Sequence, residues 1–184
     1  MNRKTKNAEL GRLSEGAFAM AKKVPLTIIL DNIRSGLNVG SVFRTGDAFR
    51  IEEIILCGIC AQPPHRDILK SALGATKTVK WTYFESTEEA IAKAKENGCK
   101  VAAVEQAEKA ISLEKWEPTK GEKWAVIFGN EVKGVKQEAV DASDMCIEIP
   151  QFGTKHSLNI SVCMGMVAWQ YMRACGLQEL TEIQ

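Results

Sequence analysis

An asparagine and an arginine stand six residues apart in the segment that follows the mainly apolar run at residues 26–30. The run LTIIL predicts a strand, and SGLNVGSVFRTGDAF, residues 35–49, predicts a loop that opens a helix. Asn38 and Arg44 precede or interrupt the apolar pattern of that helix, where an arginine could also simply reach solvent. Because parallel α/β sheets bind ligands at the carboxyl ends of their strands, this amide and guanidinium are candidates for ligand binding.

Two later segments also place polar residues directly after predicted strands. They are FGNEVKGV, residues 128–135, and IPQFGTKHSLNISV, residues 149–162. Each polar residue also has a structural explanation. Glu131 would favour the start of a following helix, and Ser157 would cap the last helix. Asn159, early in a very apolar helix, either satisfies nearby backbone or faces a ligand. Both readings stay open for each residue, although three such segments together favour a site.

The familiar nucleotide-binding and hydrolase patterns do not fit these segments. The stretch GNEVKG has the glycine spacing of a P-loop, but Val135 and Lys136 follow where Lys and Ser or Thr are required. No G-x-G-x-x-G follows the first strand, so a Rossmann dinucleotide site is unsupported. His156 and Ser157 are adjacent, and adjacent residues on a helix point about 100° apart, so they do not form a nucleophile–base pair.

Length and charge bound the remaining possibilities. The 184 residues suffice for one domain with a core. Residues 1–23 hold six basic and two acidic side chains, a net charge of +4, and the remainder carries 18 minus 21, or −3. This basic arm is suited to contacting phosphates, although a solvated helix explains it equally well.

No apolar run approaches the ~20 residues of a membrane span, and no secretory signal is visible. We therefore expect a cytoplasmic protein with no membrane partner.

The six cysteines predict neither a disulfide framework nor a metal site. Cys57 and Cys60 form a C-x-x-C pair, but the segment runs into Pro63 and Pro64, whereas a redox pair normally opens a helix. A zinc site would need a second Cys or His pair, and the sequence has none. We expect free thiols and no bound metal.

Alternating strands and helices predict an α/β fold, a parallel sheet flanked by helices, because short β-branched runs without polar alternation are typical of strands covered on both faces. The predicted strands are 26–30, 53–57, 100–105, 124–129 and 146–150, with a weaker candidate at 79–84. The predicted helices are 39–50, 65–72, 86–98, 135–143 and 156–175, and residues 109–123 are expected to be a loop. The expected divisions are a basic helical arm (1–23), one domain (24–175) and a short tail (176–184).

The last predicted helix is apolar on more than one stripe, so it should be buried on more than one side. We expect Met164, Met166, Trp169 and Met172 to lie outside the core stripe. A second covered stripe at the end of a chain of this size predicts a homodimer.

The three polar segments together carry a family resemblance. NVGSVFRTGDAF, VIFGNEVKGV and IPQFGTKHSLNISVCMGMVAW resemble, in order and spacing, three motifs of the SpoU (TrmH-like) family of RNA ribose 2′-O-methyltransferases, part of the SPOUT superfamily. The resemblance covers residues 24–173. It implies the SPOUT fold with a deep C-terminal trefoil knot, S-adenosylmethionine as cofactor, tRNA or rRNA as substrate, and a homodimer with the active site near its interface.

The resemblance also implies roles for individual residues. It assigns catalytic roles to Asn38, Arg44, Glu131, Ser157 and Asn159. It assigns cofactor binding to the backbone around Gly129, Ile149 and Leu158. Since a guanidinium has a pKa above about 12, we expect Arg44 to hold the ribose and its phosphate rather than to act as a base. Two alternatives remain open: a catalytically weak RNA-binding or assembly factor on the same fold, and another α/β enzyme that uses an adenine nucleotide.

Overall fold

The computed structural model describes residues 2–175, which contain a seven-stranded parallel sheet. Its strands are β1 (Val24–Asp31), β2 (Ile51–Cys57), β3 (Trp81–Phe84), β4 (Lys100–Val104), β5 (Ile111–Ser112), β6 (Trp124–Phe128) and β7 (Met145–Glu148). The strand order is β3-β2-β1-β6-β4-β7-β5, and every neighbouring pair is parallel. The predicted α/β class and parallel sheet are therefore confirmed.

Helices cover both faces of the sheet. They are α1 (Glu15–Met20), α2 (Gly36–Ala48), α3 (Arg66–Ala72), α4 (Thr87–Glu96), α5 (Gln137–Ala142) and α6 (Ile160–Cys175). The core on one face includes side chains of α2, α3 and α6, and the core on the other includes those of α4 and α5. Within residues 2–175, no helix combines the length and hydropathy that crossing a membrane requires.

The central strand β1 shows why the apolar runs lacked alternation. Ile28, Ile29 and Leu30 are consecutive and all fully buried. Side chains that point to opposite faces of a sheet are all buried only when both faces are covered.

The helices α2 and α6 run in the same direction on one face of the sheet. Their beginnings meet where Asn159, just before α6, hydrogen-bonds Asn38 in the first turn of α2. Further along, the ring of Phe49 at the end of α2 lies beside that of Trp169 in the middle of α6, with centroids 6.4 Å apart. Both helix starts consequently lie at the edge of the sheet where the parallel strands end.

The predicted loop at 109–123 contains regular structure, so that prediction was wrong in part. Ile111–Ser112 form β5 beside β7, and Leu113–Lys115 form one turn of 3-10 helix. A strand of two residues is too short to show a periodic pattern. Trp116, only 2% exposed, anchors the rest of the segment to the core.

The last helix begins at Ile160 rather than at residue 156. Asn159 precedes it, and its side-chain Oδ1 accepts a hydrogen bond of 2.9 Å from the backbone N–H of Ser161. The cap expected from Ser157 is thus supplied by Asn159, whose amide oxygen reaches the first turn.

The apolar stripes of α6 divide differently from the expectation. Met166 and Trp169 are exposed, at 41% and 53%. Met164 and Met172 were expected beside them but are buried in the core of the same chain. These two positions were misassigned because an apolar helix does not reveal from its sequence which of its stripes meets its own sheet.

The basic arm contains the short helix α1, which Ser14 caps by accepting a hydrogen bond from the N–H of Ala17. Phe18 is buried in the core, and the ammonium of Lys23 lies 4.3 Å from the centroid of its ring. Lys23 directly precedes β1. The arm is therefore anchored at the amino-terminal edge of the sheet, opposite the edge that carries the polar segments.

Candidate active site

Asn38 lies in the first turn of α2, close to the end of β1. Ser35 caps this helix, because its Oγ accepts a hydrogen bond of 3.3 Å from the N–H of Asn38. The cap fixes where the helix begins, so the Asn38 side chain is held at the carboxyl edge of the sheet.

Three side chains from the three polar segments form one hydrogen-bonded chain. Nδ2 of Asn38 donates to Oε1 of Glu131 at 2.9 Å. Nδ2 of Asn159 donates to Oδ1 of Asn38 at 3.1 Å. Asn38 therefore uses both ends of its amide, and the chain joins residues separated by up to 121 positions in the sequence. The orientation of each amide follows from its partners.

The loop after β6 is folded tightly on itself. Asn130 and Gly134 exchange two backbone hydrogen bonds, of 3.0 and 2.8 Å. A Cβ on Gly129 would lie 2.1 Å from the backbone carbon of Gly134 and from the nitrogen of Val135. Only a residue without a side chain fits there, so the glycine sets the path of the backbone along the site.

A second carboxylate fixes the same loop from the neighbouring strand. Glu105 follows β4, and its Oε2 accepts a hydrogen bond of 2.8 Å from the N–H of Val135. Gly134 has φ +68°, and a Cβ there would lie 2.1 Å from the same oxygen. Glu105 thus holds the loop against the end of β4 where the chain also needs a left-handed residue.

A buried aspartate ties three further segments to this edge. Asp31, 1% exposed, ends β1. Its carboxylate accepts from the hydroxyl of Thr87 at 2.6 Å, from Nδ2 of Asn32 at 2.6 Å and from the N–H of Lys136 at 3.1 Å. A buried carboxylate is stable only with such partners. Asp31 therefore positions the loops rather than facing a ligand.

These loops enclose a pocket of about 560 Å³ at the ends of β4, β6 and β7. This volume is within the range of small-molecule sites, about 300–1,000 Å³. The walls combine apolar side chains with carboxylates, amides and backbone. The predicted site residues among its lining are Gly129, Glu131, Ile149, Ser157, Leu158 and Asn159.

Arg44 and Asn38 do not line this pocket. Asn38 instead hydrogen-bonds Glu131 and Asn159, and both of these residues line the pocket. Arg44 is exposed on α2 and forms no hydrogen bond or ion pair with any residue in the range 2–175. Of the predicted residues, Arg44 alone is thus left outside the assembled group, with its guanidinium free in solvent.

The sequence reasoning missed Glu105, Asn130 and Gln106. Nδ2 of Asn130 donates to the carbonyl of Asn32 at 2.8 Å, which joins the loops after β6 and β1. Nε2 of Gln106 donates to the carbonyl of His156 at 3.1 Å, which joins the loops after β4 and β7. A usable signal existed for Glu105 and Gln106, since both follow an apolar run. Glu105 was instead counted as the last residue of the strand.

The C-x-x-C pair belongs to the core beside the loops. Both thiols are buried, and Sγ of Cys60 donates to the carbonyl of Leu30 at 3.1 Å. Burial raises the pKa of Cys57 to about 12 and that of Cys60 to about 11. All six cysteines are free thiols. Thiols with such pKa values are poor nucleophiles near neutral pH, so this pair fills space.

The arrangement is chemically that of a site which binds and aligns. The pocket offers backbone, apolar walls and acceptor oxygens to a small polar molecule. The amide chain at its edge can hold a second group by hydrogen bonds, and the exposed guanidinium of Arg44 can pair with an anion. No residue of the chain Glu131–Asn38–Asn159 is a strong nucleophile.

Comparison with known proteins assigns this architecture. Residues 25–169 match the SpoU rRNA Methylase family. A tRNA (guanosine(18)-2′-O)-methyltransferase of Borreliella burgdorferi is 27% identical, with 80% of this chain and 66% of that protein aligned. The 23S rRNA (guanosine-2′-O-)-methyltransferase RlmB of Neisseria meningitidis is 29% identical, over 78% of this chain and 56% of that protein. The chain thus spans just under two thirds, or less, of these relatives.

A solved structure shows the same fold. The AdoMet-bound rRNA methyltransferase from Sinorhizobium meliloti superposes with a TM-score of 0.76 at 24% identity, over 83% of this chain and 57% of that one. The family match extends over more than three quarters of the sequence and includes all three polar segments. The chain therefore belongs to the SpoU rRNA methylase family.

Proposed function

We propose that this protein transfers a methyl group from S-adenosylmethionine to a ribose 2′-hydroxyl of tRNA or rRNA. The observation that carries the proposal is the hydrogen-bonded chain Glu131–Asn38–Asn159 at the edge of a pocket at the strand ends. These residues come from the three segments that bear the family motifs. The relatives named above methylate tRNA and rRNA, so the chemistry is shared among them while the target RNA differs.

The pocket suits an adenosine-containing cofactor. Ile149 and Leu158 give it apolar walls, and at Gly129 the backbone itself lines the pocket. Glu105 adds a carboxylate at the end of β4. We propose that the backbone around Gly129, Ile149 and Leu158 holds the cofactor. When bound, the sulfonium of this cofactor supplies the methyl group.

The remaining residues align the ribose. An in-line attack by a hydroxyl on a methyl group depends mainly on the relative position of the two reactants. We assign Asn38, Glu131 and Asn159 to fixing the edge where the ribose must lie, with Ser157 beside them in the pocket wall. Arg44 binds the ribose and its phosphate and stabilises the negative charge that develops as the hydroxyl loses its proton. Its exposure and lack of partners leave it available for this contact.

The same proposal includes a homodimer. Along α6, Val162, Met166 and Trp169 are between 41% and 53% exposed and lie on one stripe. Leu37, 48% exposed, stands on the adjoining helix α2. A second copy that covers this surface would bury apolar side chains and bring a partner close to Arg44, on the outer face of α2.

We also propose the finer fold features that the family resemblance implies. β7 lies near one edge of the sheet, and the segment after it crosses back to α6, which lies beside α2. Gln106, which follows β4, hydrogen-bonds this segment. This course supports a C-terminal trefoil knot. We retain the division into an arm (1–23), a methyltransferase domain (24–175) and a tail (176–184), although the tail lies outside the described residues. We place the protein's action in the cytoplasm.

The test of the cofactor is calorimetry and thermal unfolding with S-adenosylhomocysteine, with ATP as the control. We expect S-adenosylhomocysteine to bind and to raise Tm, because binding at 100 times its Kd adds about 2.7 kcal/mol to the free energy of unfolding by mass action. Absence of both heat and thermal shift at saturating ligand would remove the cofactor assignment. A response to ATP alone would indicate a different adenine-nucleotide enzyme.

The test of the reaction is a map of 2′-O-methyl sites in cellular RNA with and without the gene. We expect at least one site to disappear from tRNA or rRNA, and to return when the purified protein and S-adenosylmethionine are added to the unmodified RNA. Cofactor binding without any lost site would instead support a non-catalytic RNA-binding factor on the same fold.

A further inference from the structure

Phe152 is the most exposed large hydrophobic residue among residues 2–175. Its side chain is 97% exposed. The other five phenylalanines of the chain are buried or half-buried. A single exposed hydrophobic residue needs no explanation by itself. The position of this one beside the candidate active site is what gives it meaning.

Phe152 stands on the outer side of the pocket rim. Gln151 and His156, on either side of it in the sequence, both line the pocket, whereas residues 152–155 do not. The end of this rim is fixed, because Gln106 donates to the carbonyl of His156 at 3.1 Å. The ring of Phe152 therefore faces away from the cofactor space and towards whatever approaches the pocket from outside.

Two lysines accompany this ring. Lys155 follows it on the same exposed segment, and Lys133 is exposed on the neighbouring pocket loop. Glu131 is an anion on that loop, so the rim is mixed rather than uniformly basic. An exposed aromatic ring among Lys side chains is the combination that binds single-stranded nucleic acid, where bases stack on rings and phosphates meet the cations.

We propose that Phe152 stacks on a nucleobase of the substrate RNA next to the ribose that is methylated. The inference rests on the proposed function, since it requires an RNA to reach this pocket. Stacking on this ring would hold an unpaired nucleotide at the rim while Arg44 binds the backbone. The substrate class is accordingly a single-stranded loop or an everted nucleotide, because a base inside a duplex offers no free face.

The alternative is that the Phe152 ring contacts the cofactor, which would require the rim to fold inwards over the pocket. That role predicts a loss of cofactor affinity when the ring is removed, whereas stacking on RNA predicts none. The two are separated by measuring both affinities on the same variants.

The experiment compares Phe152→Ala, Phe152→Trp and Ile59→Ala with the unmodified protein. Ile59 is a matched control, 56% exposed in the loop after β2, two strands away from β6. Calorimetry with S-adenosylhomocysteine gives cofactor affinity. The RNA is isolated from a strain lacking the gene, and its concentration is varied. Filter binding then gives the RNA affinity, and the rate of methyl transfer gives the turnover.

We expect Phe152→Ala to weaken RNA binding and raise the half-saturating RNA concentration about tenfold, as for loss of one stacked base. S-adenosylhomocysteine affinity should stay within twofold. Phe152→Trp should restore RNA affinity, and RNA should quench its added fluorescence. Ile59→Ala should behave as the unmodified protein does.

Three results would overturn the inference. Unchanged RNA affinity in Phe152→Ala, with normal methylation by the unmodified protein, removes the stacking role and leaves the proposed function intact. A parallel fall in cofactor affinity places the ring on the cofactor. Failure of the unmodified protein to methylate any of this RNA removes the proposed function, and the stacking role with it.

Discussion

The two ends of the parallel sheet are built from different interactions. At the amino ends, Trp116 lies between Trp124 and Tyr171, with ring centroids 5.3 and 5.8 Å away, and all three residues are buried. At the carboxyl ends, Asn38 and Glu131 meet through a solvent-exposed hydrogen bond beside an open pocket. One end is closed by aromatic packing, and the other is held by polar contacts, of which those at the pocket edge are open to water.

This difference separates stability from chemistry within one domain. Truncating a buried aromatic side chain typically costs about 3–5 kcal/mol, whereas a single exposed hydrogen bond contributes about 1 kcal/mol or less. Ligand-binding loops are generally drawn from the less stable parts of a fold. The aromatic end can keep the strands in register while side chains at the other end remain available to substrate.

The largest expected effect comes from breaking the aromatic end with Trp116→Ala. We expect a loss of about 3–5 kcal/mol in the free energy of unfolding and a fall in Tm of about 10 °C. Trp116→Phe should cost much less, because the indole Nε1 is buried without a hydrogen-bond partner among the described residues. Denaturant unfolding measures both variants. At low temperature, the affinity of folded Trp116→Ala for S-adenosylhomocysteine should be normal, and a lower affinity would show that the two ends are coupled.

The next effect concerns the exposed guanidinium at the other end. Arg44→Ala should reduce methyl transfer about 10²–10³-fold, the range seen when one donor to a developing oxyanion is removed. Stability and cofactor affinity should be nearly unchanged, since Arg44 has no partner within residues 2–175. Arg44→Lys should rescue poorly, because an ammonium cannot reproduce the planar fork. Equal losses of cofactor binding and turnover would instead mean that Arg44 supports the pocket.

A smaller effect is expected from reversing the direction of the hydrogen bond between Asn38 and Glu131. Asn38→Asp can no longer donate to Glu131 and places two carboxylates together, so turnover should fall about tenfold, equivalent to the loss of one hydrogen bond to a charged group. Adding Glu131→Gln restores a donor and an acceptor with opposite polarity. Recovery of turnover in this double variant would show that Glu131 only positions Asn38. Continued inactivity, with normal cofactor binding, would show that the charge of Glu131 is used.

The smallest effect is a pH dependence at the aromatic end. Glu122 accepts hydrogen bonds from Lys100, from Nε1 of Trp124 and from the N–H of Thr119, and these lower its pKa from 4.5 to about 2. Because the pKa is depressed in the folded state, the stabilisation is present above pH 4.5 and is lost as the pH falls towards 2. Glu122→Gln should lower stability by about 1 kcal/mol at pH 7. The stabilities of the two proteins should converge as the pH approaches the folded-state pKa of about 2, and a constant difference would contradict this.

The sequence allowed most of the sheet to be predicted. The long strands were found because runs such as 28–30 and 124–128 are apolar without interruption, as is typical of strands covered on both faces. β5 was missed because two residues carry no period. The start of α6 was placed four residues early, since both Ser157 and Asn159 can cap a helix and only the course of the backbone decides between them.

The polar segments were found in the sequence, but their mutual contacts were not. Hydrogen bonds from Asn38 to Glu131 and to Asn159 span 93 and 121 positions, and no local pattern encodes such pairings. Glu105 was hidden because a carboxylate at the end of an apolar run is also an ordinary strand terminus. Motif order supplied what spacing alone could not, namely that these segments converge on one site.

The loop after β6 combines the least and the most replaceable positions of the site. At Gly129 a single added carbon would overlap two backbone atoms at 2.1 Å, whereas Val132, three residues later, is 88% exposed. On the proposed function, the backbone at Gly129 that would hold the cofactor cannot change, whereas exposed positions of the same loop can. A descendant of this protein could then acquire a different RNA target through such changes and keep the proposed site of the methyl donor.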